Sequence, residues 1–148
     1  MRTVWHLRAL LAATVGTAAL AVVGHASGSS ARADAGHGLS VVLAPGAYVT
    51  HERFTRCSDP VERFSVIDGR AILTLQERLN PNEEQSPLRP AQFSVVGLPS
   101  LMECCAILGR VGWSIPFRDH GRAFYAYVYP SGDSPRPLLR ILDSLHVD

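Results

Sequence analysis

Apolar and polar residues alternate along Val61 to Ile67 and again along Arg70 to Leu79. Asp68-Gly69 separates the two runs. That dipeptide suits a two-residue type I′ turn, because both central positions need positive φ. Pairing Ile67 with Arg70 sets Phe64 opposite Leu73 and Val66 opposite Ala71, and Leu75 extends the same apolar face. Arg63, Thr74 and Gln76 fall on the other face. A second hairpin is predicted from Val111 to Phe117 and Arg122 to Tyr129, joined by Arg118 to Gly121. Pairing Phe117 with Arg122 puts Ile115 against Phe124, Trp113 against Ala126 and Val111 against Val128. Gln92 to Leu98 reads as a short strand before it.

The period changes near the end of the chain. Leu138, Ile141, Leu142 and Leu145 recur at helical spacing, with Ser134 as N-cap and Pro135 at the first helical position. That leucine stripe needs a sheet face to cover. Phe124, Ala126 and Val128 form a fully apolar face, so Tyr125, Tyr127 and Tyr129 are expected on the open side beside Gly112 and Ser114. Three tyrosines in a row on an open face would make a contact patch, since Tyr is enriched in interface hot spots. The expected fold is α+β: an antiparallel β-sheet with a C-terminal α-helix packed on one face.

The first residues follow a different logic. Arg2 and Arg8 precede an uncharged run from Ala9 to Val23. This is the charged start and short apolar stretch of a secretory signal peptide. At about 1.5 Å per residue, such a helix falls short of a bilayer core of roughly 30 Å. Ala31-Arg32-Ala33 fits an A-x-A cleavage site, and Gly24-His25-Ala26 is a second one. The expected organisation is a signal peptide at 1–33, a flexible N-terminal arm at 34–44 and a single α+β domain at 45–148. The product is secreted, to the medium or the cell envelope. Asn80 to Ala91, with three prolines and a charged middle, is expected to be a mobile loop.

Charge and composition narrow the function. Of 14 cations, Arg2, Arg8 and Arg32 leave with the signal, so 11 face 13 acids and the mature net charge is −2. Neither a nucleic-acid partner nor a polybasic membrane patch is expected from that balance, and so no membrane association after signal cleavage. Every cation is Arg. Schiff-base catalysis, pyridoxal phosphate attachment and the P-loop lysine are therefore excluded. No cofactor and no metal site is expected, because Cys57, Cys104 and Cys105 offer no C-x-x-C and the histidines are scattered. In an exported protein the simpler role for three cysteines is one structural disulfide and one free thiol. Cys57 would bond either Cys104 or Cys105. Strand alternation sets Glu103 and Cys105 on one side and turns Cys104 inward, without deciding the matter.

The run from Asp59 to Leu79, then "RPAQFSVVG", "MECCA", "FRDHGRAFYAYVYP" and "LLRILDSLHVD", resembles small exported actinobacterial proteins of unknown function. The resemblance implies export and an α+β fold, and brings no activity with it. A recurring Glu-Cys in that group implies the Cys57–Cys104 pairing. Closing a loop of that length stabilises by roughly 4 kcal/mol in the chain-entropy model. The closing strand and helix also resemble Mog1/PsbP-like domains at the level of fold.

Three functional readings follow. The first is an exported, non-catalytic binding or interaction domain, whose partner is an unknown protein or cell-envelope ligand. The second is a small secreted hydrolase using His120 and Asp119 with a free cysteine. It competes with the plain reading of Asp119-His120-Gly121 as turn chemistry. His51-Glu52 is a further polar pair, set near a strand. The third is an exported inhibitor using the loop at 80–91. No G-x-S-x-G and no Gly-rich phosphate loop is present.

Overall fold

A computed structural model describes residues 30–54, 61–78, 86–102 and 109–148. The described elements run β1 (Ala31–Gly36), β2 (Leu39–Leu43), β3 (Tyr48–Phe54), β4 (Val61–Asp68), β5 (Ala71–Arg78), β6 (Ser100–Leu101), β7 (Val111–Asp119), β8 (Arg122–Tyr129), α1 (Arg136–Asp143) and β9 (His146–Val147). A six-stranded antiparallel sheet has the order β3-β4-β5-β8-β7-β6, and a three-stranded one the order β1-β2-β9. One face of the large sheet packs against a second layer made of α1 and the small sheet. Phe64, Leu73, Phe124 and Val128 meet Val41, Leu138, Ile141 and Leu142 in that core. The α+β architecture with the helix on one face is therefore as expected.

Both hairpins form, each two residues out of the expected register. In the first, Asp68 pairs with Ala71, Val66 with Leu73 and Phe64 with Leu75. The turn is Gly69-Arg70, with φ +59 at Gly69 alone. Glycine at the first central position is the type II′ arrangement, and it leaves Asp68 in the strand. In the second hairpin Asp119 pairs with Arg122, Phe117 with Phe124 and Trp113 with Val128. His120 (φ +49) and Gly121 (φ +74) make a two-residue turn of the type I′ kind. A shift of two residues preserves the face of every side chain, so the apolar stripe still faces the core.

Other expectations change. The flexible arm at 34–44 is instead the end of β1 and all of β2, with Ala35, Leu39 and Val41 buried. Residues 92–98 form no strand. The Phe93 amide donates to Asp143 Oδ1 at 2.7 Å, away from any ladder, and the Gly97 carbonyl accepts from Trp113 Nε1 at 3.1 Å. The helix begins one residue later than expected. Pro135 occupies the N-cap position, and Ser134 Oγ lies 3.4 Å from the Arg136 amide, too long for a firm cap.

The helix C-terminus is better held. Ser144 Oγ accepts from the Val42 amide at 2.8 Å and donates to the Ile141 carbonyl at 2.6 Å. It joins the end of α1 to β2. Ser144→Ala is expected to leave the part-buried Val42 amide without its acceptor and cost about 1–2 kcal/mol, read as a lower urea midpoint at unchanged m-value.

Candidate functional site

Gly36, His37 and Gly38 connect β1 to β2, and all three have positive φ (+77, +52 and +69). Only glycine takes this conformation freely, which is why the imidazole is flanked by two of them. Asp34 Oδ1 accepts from the Gly36 amide at 2.7 Å. The Asp148 amide donates to the Gly38 carbonyl at 3.0 Å, so the last residue ties down the turn.

The turn stands over one end of the interlayer core, where a cleft of about 150 Å³ opens. Ala35, Leu39, Phe64 and Leu75 make its floor. His37, His51, Glu62 and Glu77 make its walls and rim, and the strands at Glu52 and Arg63 border it. Strand pairing places the wall residues. His51 lies opposite Phe64, and Glu62 lies opposite Glu77. His37 Nε2 reaches within 3.7 Å of Glu62 Oε2. A Cβ added at Gly36 would lie 3.4 Å from His51 Cε1, so the turn and His51 are in close contact.

One ion pair braces the wall, and a second lies on the other face of the sheet. Arg122 donates from Nε to Glu77 Oε1 and from Nη2 to Oε2, both at 2.7 Å. Those bonds to Glu77 raise the Arg122 pKa against the opposing effect of burial, and the charges of Glu77 and Asp148 add to the rise. Arg63 pairs with Glu52 across β3 and β4. Burial lowers the Arg63 pKa, with the charge interaction with Tyr129 opposing it. A wider groove of about 570 Å³ runs between α1 and residues 92–95. It is larger, but the acid it holds beside Phe93, Asp143, already accepts the Phe93 amide.

The sequence-predicted sites lie elsewhere. Tyr125, Tyr127 and Tyr129 are on the face away from α1, as expected, but they do not form an open patch. Tyr127 and Tyr129 are 7% and 1% exposed, and they pack with Met102, Ile72 and Tyr125 in a second apolar cluster. Asp119 and His120 are adjacent in space, with Oδ1 and Nδ1 at 2.9 Å. Arg89 Nη1, however, donates to the other oxygen, Asp119 Oδ2, at 2.8 Å, and His120 sits exposed on a turn. Neither residue lines either opening. Cys57, Cys104 and Cys105 lie outside the described residues, as does 80–85 of the proposed inhibitor loop. The described remainder of that loop is anchored. Arg118 donates from its amide to the Pro87 carbonyl and from Nε to the Ser86 carbonyl, both at 2.8 Å. Among the described residues no three His, Cys, Asp or Glu side chains converge on a metal position. Nor is any helix among them long and apolar enough to cross a membrane.

Sequence reading missed the cleft because its parts come from five separate strands and a turn. One signal was present. Glu62 continues the Phe64 and Val66 stripe, and Glu77 continues that of Leu73 and Leu75, so two acids end two core-facing runs. Comparison of the chain with protein-family models, curated proteins and solved structures finds no match.

Proposed function

We propose that this chain is an exported binding domain that receives a small ligand in the cleft beneath the β1–β2 turn. The ligand is met outside the cytoplasmic membrane, in the cell envelope or the medium. One observation carries the reading: a floor of four apolar side chains lies under a rim of imidazoles and carboxylates. Mostly apolar concavities with a few placed polar groups are the usual form of a small-molecule site. Titration of ¹⁵N-labelled protein with a small aromatic fragment set is the test. Amide shifts should centre on Gly36 to Leu39 and His51, and should vanish in Leu39→Phe, whose larger ring fills the floor. Shifts confined to the α1 groove would sink the proposal.

Export is supported by the basic start and the apolar run from Ala9 to Val23. The two cleavage positions differ in what they leave. Cleavage after Ala33 removes Ala31 to Ala33, which pair with Leu43, Val42 and Val41 of β2. It also removes Arg32, whose Nη1 donates to Ser40 Oγ at 3.0 Å. Cleavage after Ala26 leaves β1 whole. The exported chain is therefore expected to begin at Ser27, as read by N-terminal sequencing. A start at Asp34 would make half of β1 dispensable, and a chain beginning at Met1 in the membrane fraction would overturn export.

A further inference from the structure

We infer that the Gly36-His37-Gly38 turn is a pH-operated latch over the cleft: protonation of His37 and His146 fastens it, and loss of those protons releases it. The latch works whether or not the cleft is filled. Its consequence for a small ligand, slower entry and exit in acid, rests on the reading proposed above.

Two imidazole–carboxylate pairs hold this corner of the molecule. On one side of the turn, His37 Nε2 lies 3.7 Å from Glu62 Oε2, and both residues line the cleft. On the other side, the Asp148 amide donates to the Gly38 carbonyl at 3.0 Å, and Asp148 Oδ1 lies 3.0 Å from His146 Nε2. His146 is in β9, opposite Ser40 and two residues past the turn. The His37–Glu62 distance is longer than a hydrogen bond, so the turn rests near Glu62 without being bound to it. A charged imidazole closes that gap. The Glu62 side chain is 19% exposed, so its attraction for His37 is screened less than on open surface. A carboxylate offers about four acceptor positions, so Glu62 can receive His37 beside another donor. His37 is also the one side chain in the turn, and it sits at φ +52. Glycine takes that conformation without strain, so the imidazole is held there against the preference of the backbone.

The direction follows from which groups change charge. An imidazole is charged below about pH 6.5, and carboxylates stay charged down to about pH 4.5. Both pairs are complete between those limits, and their attraction is lost as rising pH takes the imidazole protons. Carboxylates and guanidiniums around the turn keep their charges from about pH 5 to 8. Asp34 of β1 accepts the Gly36 amide, and Glu77 of β5 is held by Arg122 of β8, whose charge also reaches Asp148. Glu52 and Arg63 pair on the other face of the sheet. His51 of β3 lies against Gly36, gains charge over the same range as His37, and opposes it. Two attractions against one repulsion leave fastening as the net effect of acid.

Solvent exchange of the Gly36 and Asp148 amides tests the latch without any ligand. It is read by NMR on the folded exported chain at pH 5.5 and pH 7.5, as protection relative to an unstructured chain. Each amide should be about threefold better protected at pH 5.5, the effect of one partly exposed ion pair. His37→Gly removes the imidazole and suits the positive φ, so it should fold and lose the difference at Gly36. Glu62→Gln should lose it there too, and His146→Gln should lose it at Asp148. His51→Gln, which removes the opposing charge, should widen the difference at Gly36. Equal protection of the wild-type amides at the two pH values, or greater protection at pH 7.5, would overturn the latch and leave the cleft standing as a ligand site. A difference at Gly36 that survives both His37→Gly and Glu62→Gln would refute His37 as the fastening group. Failure of the fragment titration proposed above would strike the ligand reading and leave these exchange results as they are.

Discussion

Arg89→Ala is expected to destabilise the protein by about 3 kcal/mol, because Arg89 links three separate parts of the chain. Its Nη1 donates to Asp119 Oδ2 at 2.8 Å, at the end of β7. Its Nη2 donates to the Asp143 carbonyl at 2.9 Å, at the end of α1. Its guanidinium lies 5.8 Å from the Phe93 ring centre, and its amide donates to the Arg118 carbonyl at 2.8 Å. A cation beside the last carbonyls of a helix also complements the helix dipole. The Arg89 and Asp119 side chains are 23% and 14% exposed, so the pair is better shielded than a surface ion pair, though water still reaches it. Arg89→Lys keeps the charge but cannot make the forked contact, and should recover only part of the loss.

The loss should depend on pH. Burial alone would raise the Asp119 pKa. Hydrogen bonds from Arg89 and His120, with the charges of both, overcome it and hold the carboxyl below its ordinary 3.8. A depressed folded pKa contributes stability above the unfolded value and loses it as pH falls through the folded one. The difference between wild type and Arg89→Ala should therefore be full at pH 7 and shrink below about pH 4. Urea unfolding at pH 7 and at pH 3 reads both numbers. A variant within 0.5 kcal/mol of wild type at pH 7, roughly the range of ordinary surface substitutions, would mean that Arg89 merely lies on the surface.

How far the fold could be read in advance follows from which contacts are local. The alternation in Val61 to Arg78 and in Val111 to Tyr129 announced both hairpins, and the Leu138–Leu145 stripe announced the helix and the face it covers. Register depended on finer chemistry. Gly69 serves as the first turn residue and not the second, and His120 takes positive φ beside Gly121 where a longer loop was expected. Short polar and ring side chains adopt such positions less readily than glycine, so the sequence pattern weighed the wrong pair. The β1–β2 pair was illegible for a different reason. Its partner strand is β9, more than a hundred residues away, and its turn spends two glycines in three residues, which reads as slack chain. The tyrosine face was assigned correctly and its exposure was not, because Met102 and its packing come from outside the hairpin. The cleft inherits all of these non-local contacts.

Gly112→Ala should have an effect as large as the loss of Arg89, about 3 kcal/mol or more. Gly112 is buried in β7 between β6 and β8, and its neighbour Trp113 pairs with Val128. The same register sets Gly112 opposite Tyr129. A Cβ there would lie 2.4 Å from the Val128 carbonyl oxygen and 2.8 Å from Tyr129 Cδ1. The first of these atoms is backbone, so rotating a side chain cannot relieve the contact. β7 and β8 would have to separate, or Tyr129, 1% exposed, would have to leave its cluster with Met102 and Tyr127. Glycine in a strand interior usually weakens it, and here close approach of the neighbouring strand is what requires it. Gly132→Ala is the matched control. Nothing lies within 4 Å of a Cβ at that position and its φ is not positive. That change should be neutral or slightly stabilising, by up to about 1 kcal/mol, through the unfolded chain. Truncating the ring as well, in Gly112→Ala with Tyr129→Ala, should not restore stability, because the carbonyl contact remains. Thermal unfolding of the three variants beside wild type decides it: rescue by Tyr129→Ala would place the strain on the ring, and a wild-type melt for Gly112→Ala would show that β7 and β8 have room for a methyl group.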